Sequence, residues 1–137
     1  MVYDTHADAV YLYGGYDTTT LKDFWKFKNG NWTEVSLANE PVRCHTSVVY
    51  DEDQKKLMMF GGFNEEGRTN EFWECTAGIW KQVKQDGQVP DPRAEHRGVF
   101  IHGKGYLIFG GVIGPDPNTR NRGNDTWLYD GNAWIRK

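Results

Sequence analysis

The chain has 137 residues, 16 of them glycine, with 15% aromatic content and a formal net charge of −3. This length and composition fit one domain built from sheets and turns. The acidic balance argues against nucleic acid or an anionic membrane as partner, and no apolar run approaches the ~18 residues that a spanning helix needs.

A short strand, Met1-Val2-Tyr3-Asp4, is predicted first, and the apolar run Val10-Tyr11-Leu12-Tyr13 then closes on Gly14-Gly15. An acid–aromatic strand follows at Asp23-Phe24-Trp25-Lys26-Phe27, and an outer strand at Trp32-Thr33-Glu34-Val35. Lys28-Asn29-Gly30-Asn31 joins them, because Asn-Gly supplies the positive φ that a tight hairpin requires. The order then repeats. Ser47–Asp51 is a strand, Leu57-Met58-Met59-Phe60 ends on Gly61-Gly62, and Glu71-Phe72-Trp73-Glu74-Cys75 precedes Gly78 and Trp80. The third pass runs from Gly98–Ile101 through Tyr106-Leu107-Ile108-Phe109 to Gly110-Gly111. A breaker-rich loop, 112–124, leads on to Asp125-Thr126-Trp127-Leu128-Tyr129, the Asp130-Gly131 turn and Trp134.

The glycine pairs stand 47 and 49 residues apart, and the two tryptophans of every unit are separated by 7 positions, which uses all six in the chain. A period near 50 with a double glycine after an apolar strand marks a β-propeller blade. No segment holds a sustained 3.6-residue apolar period, so no long helix is predicted.

These residues resemble the kelch family over essentially the whole chain. The second unit carries Pro41, Arg43, His45, Gly61-Gly62, Trp73 and Trp80; the third carries Pro92-Arg93, His96, Gly110-Gly111, Trp127 and Trp134. Arg43 precedes its histidine by two residues and Arg93 by three, and the first unit lacks this lead-in segment. The resemblance implies an all-β, kelch-type propeller segment of three four-stranded antiparallel blades, at about 1–40, 41–89 and 90–137. Propellers have four to eight blades, so three must either belong to something longer or associate, and two chains of three are expected to close a six-bladed ring as a homodimer. Open end blades would otherwise expose apolar residues such as Tyr11, Tyr13, Leu107 and Phe109.

Double glycine and tryptophan are expected to be scaffold, the first for close backbone approach and the second as filling between blades. Asp23, Glu71 and Asp125 are expected to bond backbone near their loops. Cys44 and Cys75 occupy non-equivalent positions and are expected to be free thiols. The sequons at Asn31 and Asn124 fall on residues that the repeat already uses. No signal peptide opens the chain, and the compartment stays open.

No nucleophile, phosphate-loop or dinucleotide motif is present. Of the histidines, His45 and His96 read as repeat equivalents, His6 and His102 as turn residues, and no two share a metal spacing. No catalytic residue, metal or cofactor is therefore expected. Some kelch-like proteins are sugar epimerases or copper oxidases, and a carbohydrate-binding or carbohydrate-active protein with a pocket at the ring centre is the alternative reading. The main expectation is a non-enzymatic binding module for protein or peptide. Its candidate ligand-binding residues are Arg43, Arg68, Arg93, Arg97, Arg120 and Arg122, which the repeat assigns to one loop face, with Tyr16 and Phe63 as stacking surface. Arginine's planar fork suits carboxylates and acidic peptides.

Overall fold

A computed structural model describes residues 1–137, and all of its regular structure is β. The first unit holds β1 (Val2–Asp4), β2 (Ala9–Asp17), β3 (Thr19–Lys28) and β4 (Asn31–Glu34). The second holds β5 (Ser47–Asp51), β6 (Lys56–Phe60), β7 (Phe63–Asn64), β8 (Gly67–Arg68), β9 (Phe72–Thr76) and β10 (Ile79–Gln82). The third holds β11 (Arg93–Ala94), β12 (Arg97–Ile101), β13 (Gly105–Phe109), β14 (Val112–Ile113), β15 (Asn121–Arg122), β16 (Thr126–Tyr129) and β17 (Trp134–Arg136).

Three four-stranded antiparallel sheets result, in the orders β1-β2-β3-β4, β5-β6-β9-β10 and β12-β13-β16-β17. Strand β5 lies against β1 on one side and β12 on the other, so each sheet puts its first strand innermost. In the first sheet the strands run on past the glycine pair through a bulge at Gly14. In the other two the ladder breaks there, and the extension becomes the small β7-β8 hairpin or the β11-β14-β15 sheet.

Side chains alternate across each strand, so every sheet presents two faces. Met58 and Phe60 join Tyr106, Ile108, Tyr129 and Trp134 in the core between sheets two and three. Leu57 and Met59 join Phe24, Tyr50, Cys75 and Trp80 between sheets one and two. The outer-strand tryptophan reaches into the preceding sheet: Trp80 lies 6.0 Å from Tyr13, and Trp134 lies 4.8 Å from Phe60, ring to ring. Trp80 is 0% exposed, whereas Trp32, which has no preceding sheet, is 46% exposed.

This corrects the expected open faces. Tyr11 and Tyr13 turn toward the second sheet and pack on its core. The open face of the first sheet instead carries the cross-strand row Tyr3, Val10, Phe27 and Trp32, with Tyr3 and Trp32 exposed and Val10 and Phe27 half-buried, the counterpart of the buried row Tyr50, Leu57, Cys75 and Trp80. On the far side of the third sheet, Val99, Leu107, Leu128 and Ile135 form a second apolar row, beside Phe109 at 51% exposure.

The glycine pair has a steric cause. At Gly61 (φ +63°) a Cβ would stand 2.6 Å from the Arg93 carbonyl, and at Gly62 (φ +96°) it would stand 2.8 Å from the Thr46 Cβ. Positive φ and lack of room both exclude a larger residue. Gly62→Val is expected to destabilise by at least about 1–2 kcal/mol, measured by urea denaturation.

Candidate functional site

The loops that follow the glycine pairs and the segments that lead into the second and third sheets meet on one face. Tyr16 from the first sheet, Phe63 and Arg68 from the second, and Pro117 and Arg120 from the third line a cleft of about 270 Å³. Cys44, Ala94 and Val112 are buried in its lining, and His45 and Glu95 stand exposed at its edge. Phe63 is fixed in the wall by paired backbone bonds with Cys44, at 2.8 and 3.0 Å. Tyr16 is 65% exposed, so its ring offers a free face.

The six candidate arginines divide into two groups. Arg93 is 0% exposed; it donates to both Asp125 carboxylate oxygens, at 2.9 and 2.8 Å, and to the Gly110 carbonyl at 3.1 Å. Arg43 is buried and paired with Glu71. Arg68 is buried and donates to the carbonyls of Gly114, Asp116 and Thr119. The expectation that these three stand free on the surface is therefore corrected. A guanidinium taken out of water needs several acceptors, and here carboxylates or the inward-turned carbonyls of the 112–124 loop supply them. Arg68 clamps the loop that carries Pro117 and Arg120, so it shapes the cleft from beneath.

Arg97, Arg120 and Arg122 are exposed. Arg120 lines the cleft, Arg122 lies 3.8 Å from Glu95 at its margin, and Arg97 lines a separate cavity near the inner strands. That inner cavity, of about 180 Å³, is bordered by Tyr13, Thr46, Ser47, His96 and Arg97, and no carboxylate lines it. His96 is 2% exposed, and neither of its ring nitrogens has a partner. Burial beside Arg93 and Arg97 pushes its pKa down to about 3, which keeps the ring neutral at physiological pH.

The repeat acids also differ from expectation. Asp23, Glu71 and Asp125 each accept the indole N–H of the tryptophan two residues on, at 2.5, 3.0 and 2.6 Å, rather than a backbone donor. Glu71 and Asp125 hold an arginine as well. Hydrogen bonding from Arg93 lowers the Asp125 pKa from 3.8 to about 2.

The histidine alignment shifts too. Arg43 and Arg93 both stand four residues before the innermost strand, so His45 corresponds to Glu95 and Thr46 to His96. His45 and Glu95 share a left-handed backbone, at φ 54° and 59°. The different arginine-to-histidine spacing thus reflects a different histidine position, and the arginine is equivalent in both units. The constant placement of Arg before the strand, with an acid two residues before the first tryptophan, was the signal for the ion pair. Cys44 and Cys75 are separate buried thiols.

A family model described as the KLHDC2/KLHL20/DRC7 Kelch-repeats domain matches residues 1–135. Among curated proteins, the chain is 33% identical over 85 residues to the dynein alpha chain of the flagellar outer arm of Chlamydomonas reinhardtii, covering 61% of this chain and 2% of that one. It is 34% identical over 119 residues to Mei4-dependent protein 6 of Schizosaccharomyces pombe, covering 75% and 16%. It is 24% identical over 147 residues to human host cell factor 2, covering 90% and 18%. The chain therefore spans less than a fifth of each of these relatives. Three four-stranded sheets with positive-φ glycine pairs, matched by the family model along nearly the whole length, establish that the chain belongs to the kelch-repeat family.

Proposed function

We propose that the chain is a non-enzymatic protein-interaction module whose recognition surface is the cleft on the loop face. The observation that carries this is the meeting of Tyr16, Phe63 and Arg120, contributed by three different sheets, around one cavity of about 270 Å³. Aromatic anchors beside arginine are the residue types that dominate protein recognition. The fitting ligand is a peptide with an apolar or aromatic side chain for the Phe63–Val112 wall and a carboxylate for Arg120. Arg122 adds positive charge at the margin, whereas Arg97 stands apart, in the inner cavity. Arg43, Arg68 and Arg93 act on the site through the scaffold.

The test is an array of acidic, aromatic-containing peptides, with the tightest binder titrated against variants. Arg120→Ala and Tyr16→Ala are each expected to weaken binding by more than about 1 kcal/mol, and to leave stability within about 0.5 kcal/mol of wild type. Affinity falls as salt rises, because the exposed charge is screened over roughly 8–10 Å. Equal affinity in all three proteins refutes the cleft as the site.

We also propose that the chain associates with a second copy of itself, first sheet against third. Trp32, Phe27 and Val10 stand where sheets two and three bury their own tryptophan rows, and the Val99–Ile135 row is the surface left to receive them. Exposed apolar area of this kind is a liability unless a neighbouring unit covers it. A two-fold pair covers both faces at once.

A further inference from the structure

The linker after the first sheet doubles as an edge strand for the second sheet, and the linker after the second sheet does not repeat this for the third. Ala38 lies parallel to the outer edge of β10 and bridges to Ile79. Its N–H donates to the Gly78 carbonyl and its carbonyl accepts from the Trp80 N–H, both at 2.9 Å. Leu37 beside it packs on the core between sheets one and two. The outer edge of the second sheet is thereby paired.

Asn132 and Trp134 stand in the third sheet where Gly78 and Trp80 stand in the second, and no segment of the chain makes the corresponding bonds to them. The cause lies within residues 83–93. From Val83 to Arg93 the linker is two residues longer than from Val35 to Arg43. Gln85, at the place of Leu37, accepts from the Trp134 indole and donates to the Asn70 carbonyl, each at 2.8 Å. Asp86, at the place of Ala38, turns into solvent 3.2 Å from Lys84, and Gly87 follows with φ +78°. Along β17, Ile135 pairs with Leu128, and alternation sends the backbone groups of Trp134 and Arg136 outward. Asn132, Ile135 and Arg136 are exposed. An unpaired edge of this kind is a template for another strand.

We propose that the outer edge of β17 binds an extended segment of a partner protein as an added strand, running parallel to β17. The paired edge of β10 defines what fits. A small residue stands opposite Ala133, its N–H on the Asn132 carbonyl and its carbonyl on the Trp134 N–H. Two residues further on, an apolar side chain lies beside Ile135. The next position passes Arg136, with Lys137 following, so an acidic residue complements it. This site goes beyond the cleft reading, since it lies on the outermost strand and uses none of Tyr16, Phe63 or Arg120.

The probe is a capped synthetic peptide, Val-Ser-Leu-Ala-Thr-Val-Glu, whose first four residues copy 35–38 of this chain. It is titrated into the intact protein and followed by backbone amide NMR. The expected result is saturable binding, with shifts centred on residues 132–136 and slowed hydrogen exchange at the Trp134 amide. N-methylation of the peptide's alanine removes the donor to Asn132 and weakens binding by about tenfold. Arg136→Pro removes an outward N–H without cutting the ladder to β16, and it weakens binding similarly. If that variant fails to fold, the methylated and unmethylated peptides give the answer on unaltered protein. No binding at millimolar peptide, or equal affinity for both peptides, overturns the proposal. Shifts centred on Ile79 and Trp80 overturn it too, by showing that the peptide displaces the native linker from β10. Shifts centred on Tyr16, Phe63 and Arg120 overturn it in favour of the cleft alone.

Discussion

Trp80→Ala is expected to cost roughly 3–5 kcal/mol of stability, while Trp32→Ala costs less than about 1 kcal/mol in the isolated chain. The two residues hold the same place in successive units, so chemistry and local strand geometry are matched and only burial differs. Trp80 is fully buried on Tyr13 and Phe24, and its removal opens a cavity between two sheets that cannot collapse without shifting both. Trp32 touches Phe27 and solvent. Urea denaturation of both variants at low protein concentration separates the effects. A Trp80→Ala loss below about 1 kcal/mol would contradict the wedge role. In a self-associated chain the Trp32→Ala penalty appears as weakened association and grows with protein concentration.

Arg93→Ala is expected to destabilise by about 3–5 kcal/mol, because it leaves Asp125 with an unpaired charge and Gly110 with an unpaired carbonyl. Exposed Arg120→Ala serves as the control. The pair also sets an acid response. The Asp125 pKa is lower folded (about 2) than its ordinary 3.8. Its contribution is therefore fully present above about pH 4 and is lost as pH falls through about 2. In Arg93→Ala the largest cause of this lowering is gone and the Trp127 indole bond remains, so the decline across that window becomes shallower. Stability curves between pH 2 and pH 5 check this. A wild type and variant with parallel pH profiles would show that Arg93 is not what holds the Asp125 charge.

The repeat was legible in the sequence wherever one residue type has one cause. Positive φ beside a neighbouring backbone favours glycine, so the pairs mark where the ladder ends, at 61 and 110, or bulges, at 14, without further information. Tryptophan at a fixed spacing marks a wedge between sheets for a similar reason of volume. Arginine has no such single cause. Arg68 and Arg120 both lie in loops after a glycine pair, yet one is sealed beneath the 112–124 loop and the other stands free. The difference arises from where Gly114, Asp116 and Thr119 turn their carbonyls, which depends on the folded loop rather than on residue type. Arg43 and Arg93 were hidden for another reason: their acids lie 28 and 32 residues further along, across the whole sheet. Face assignment in the first sheet failed because a one-residue choice of register moves Tyr11 and Tyr13 from one side to the other. For the cleft, Tyr16, Phe63 and Arg120 were identifiable from their positions after the glycine pairs, whereas its Pro117 edge emerges only from the fold.

Solution mass, by light scattering across a dilution series, tests most directly whether two open faces of this chain cover one another. The account predicts a particle of twice 15.8 kDa at working concentration, dissociating on dilution and more readily in Trp32→Ala. A well-folded species that stays at 15.8 kDa up to high concentration would contradict it.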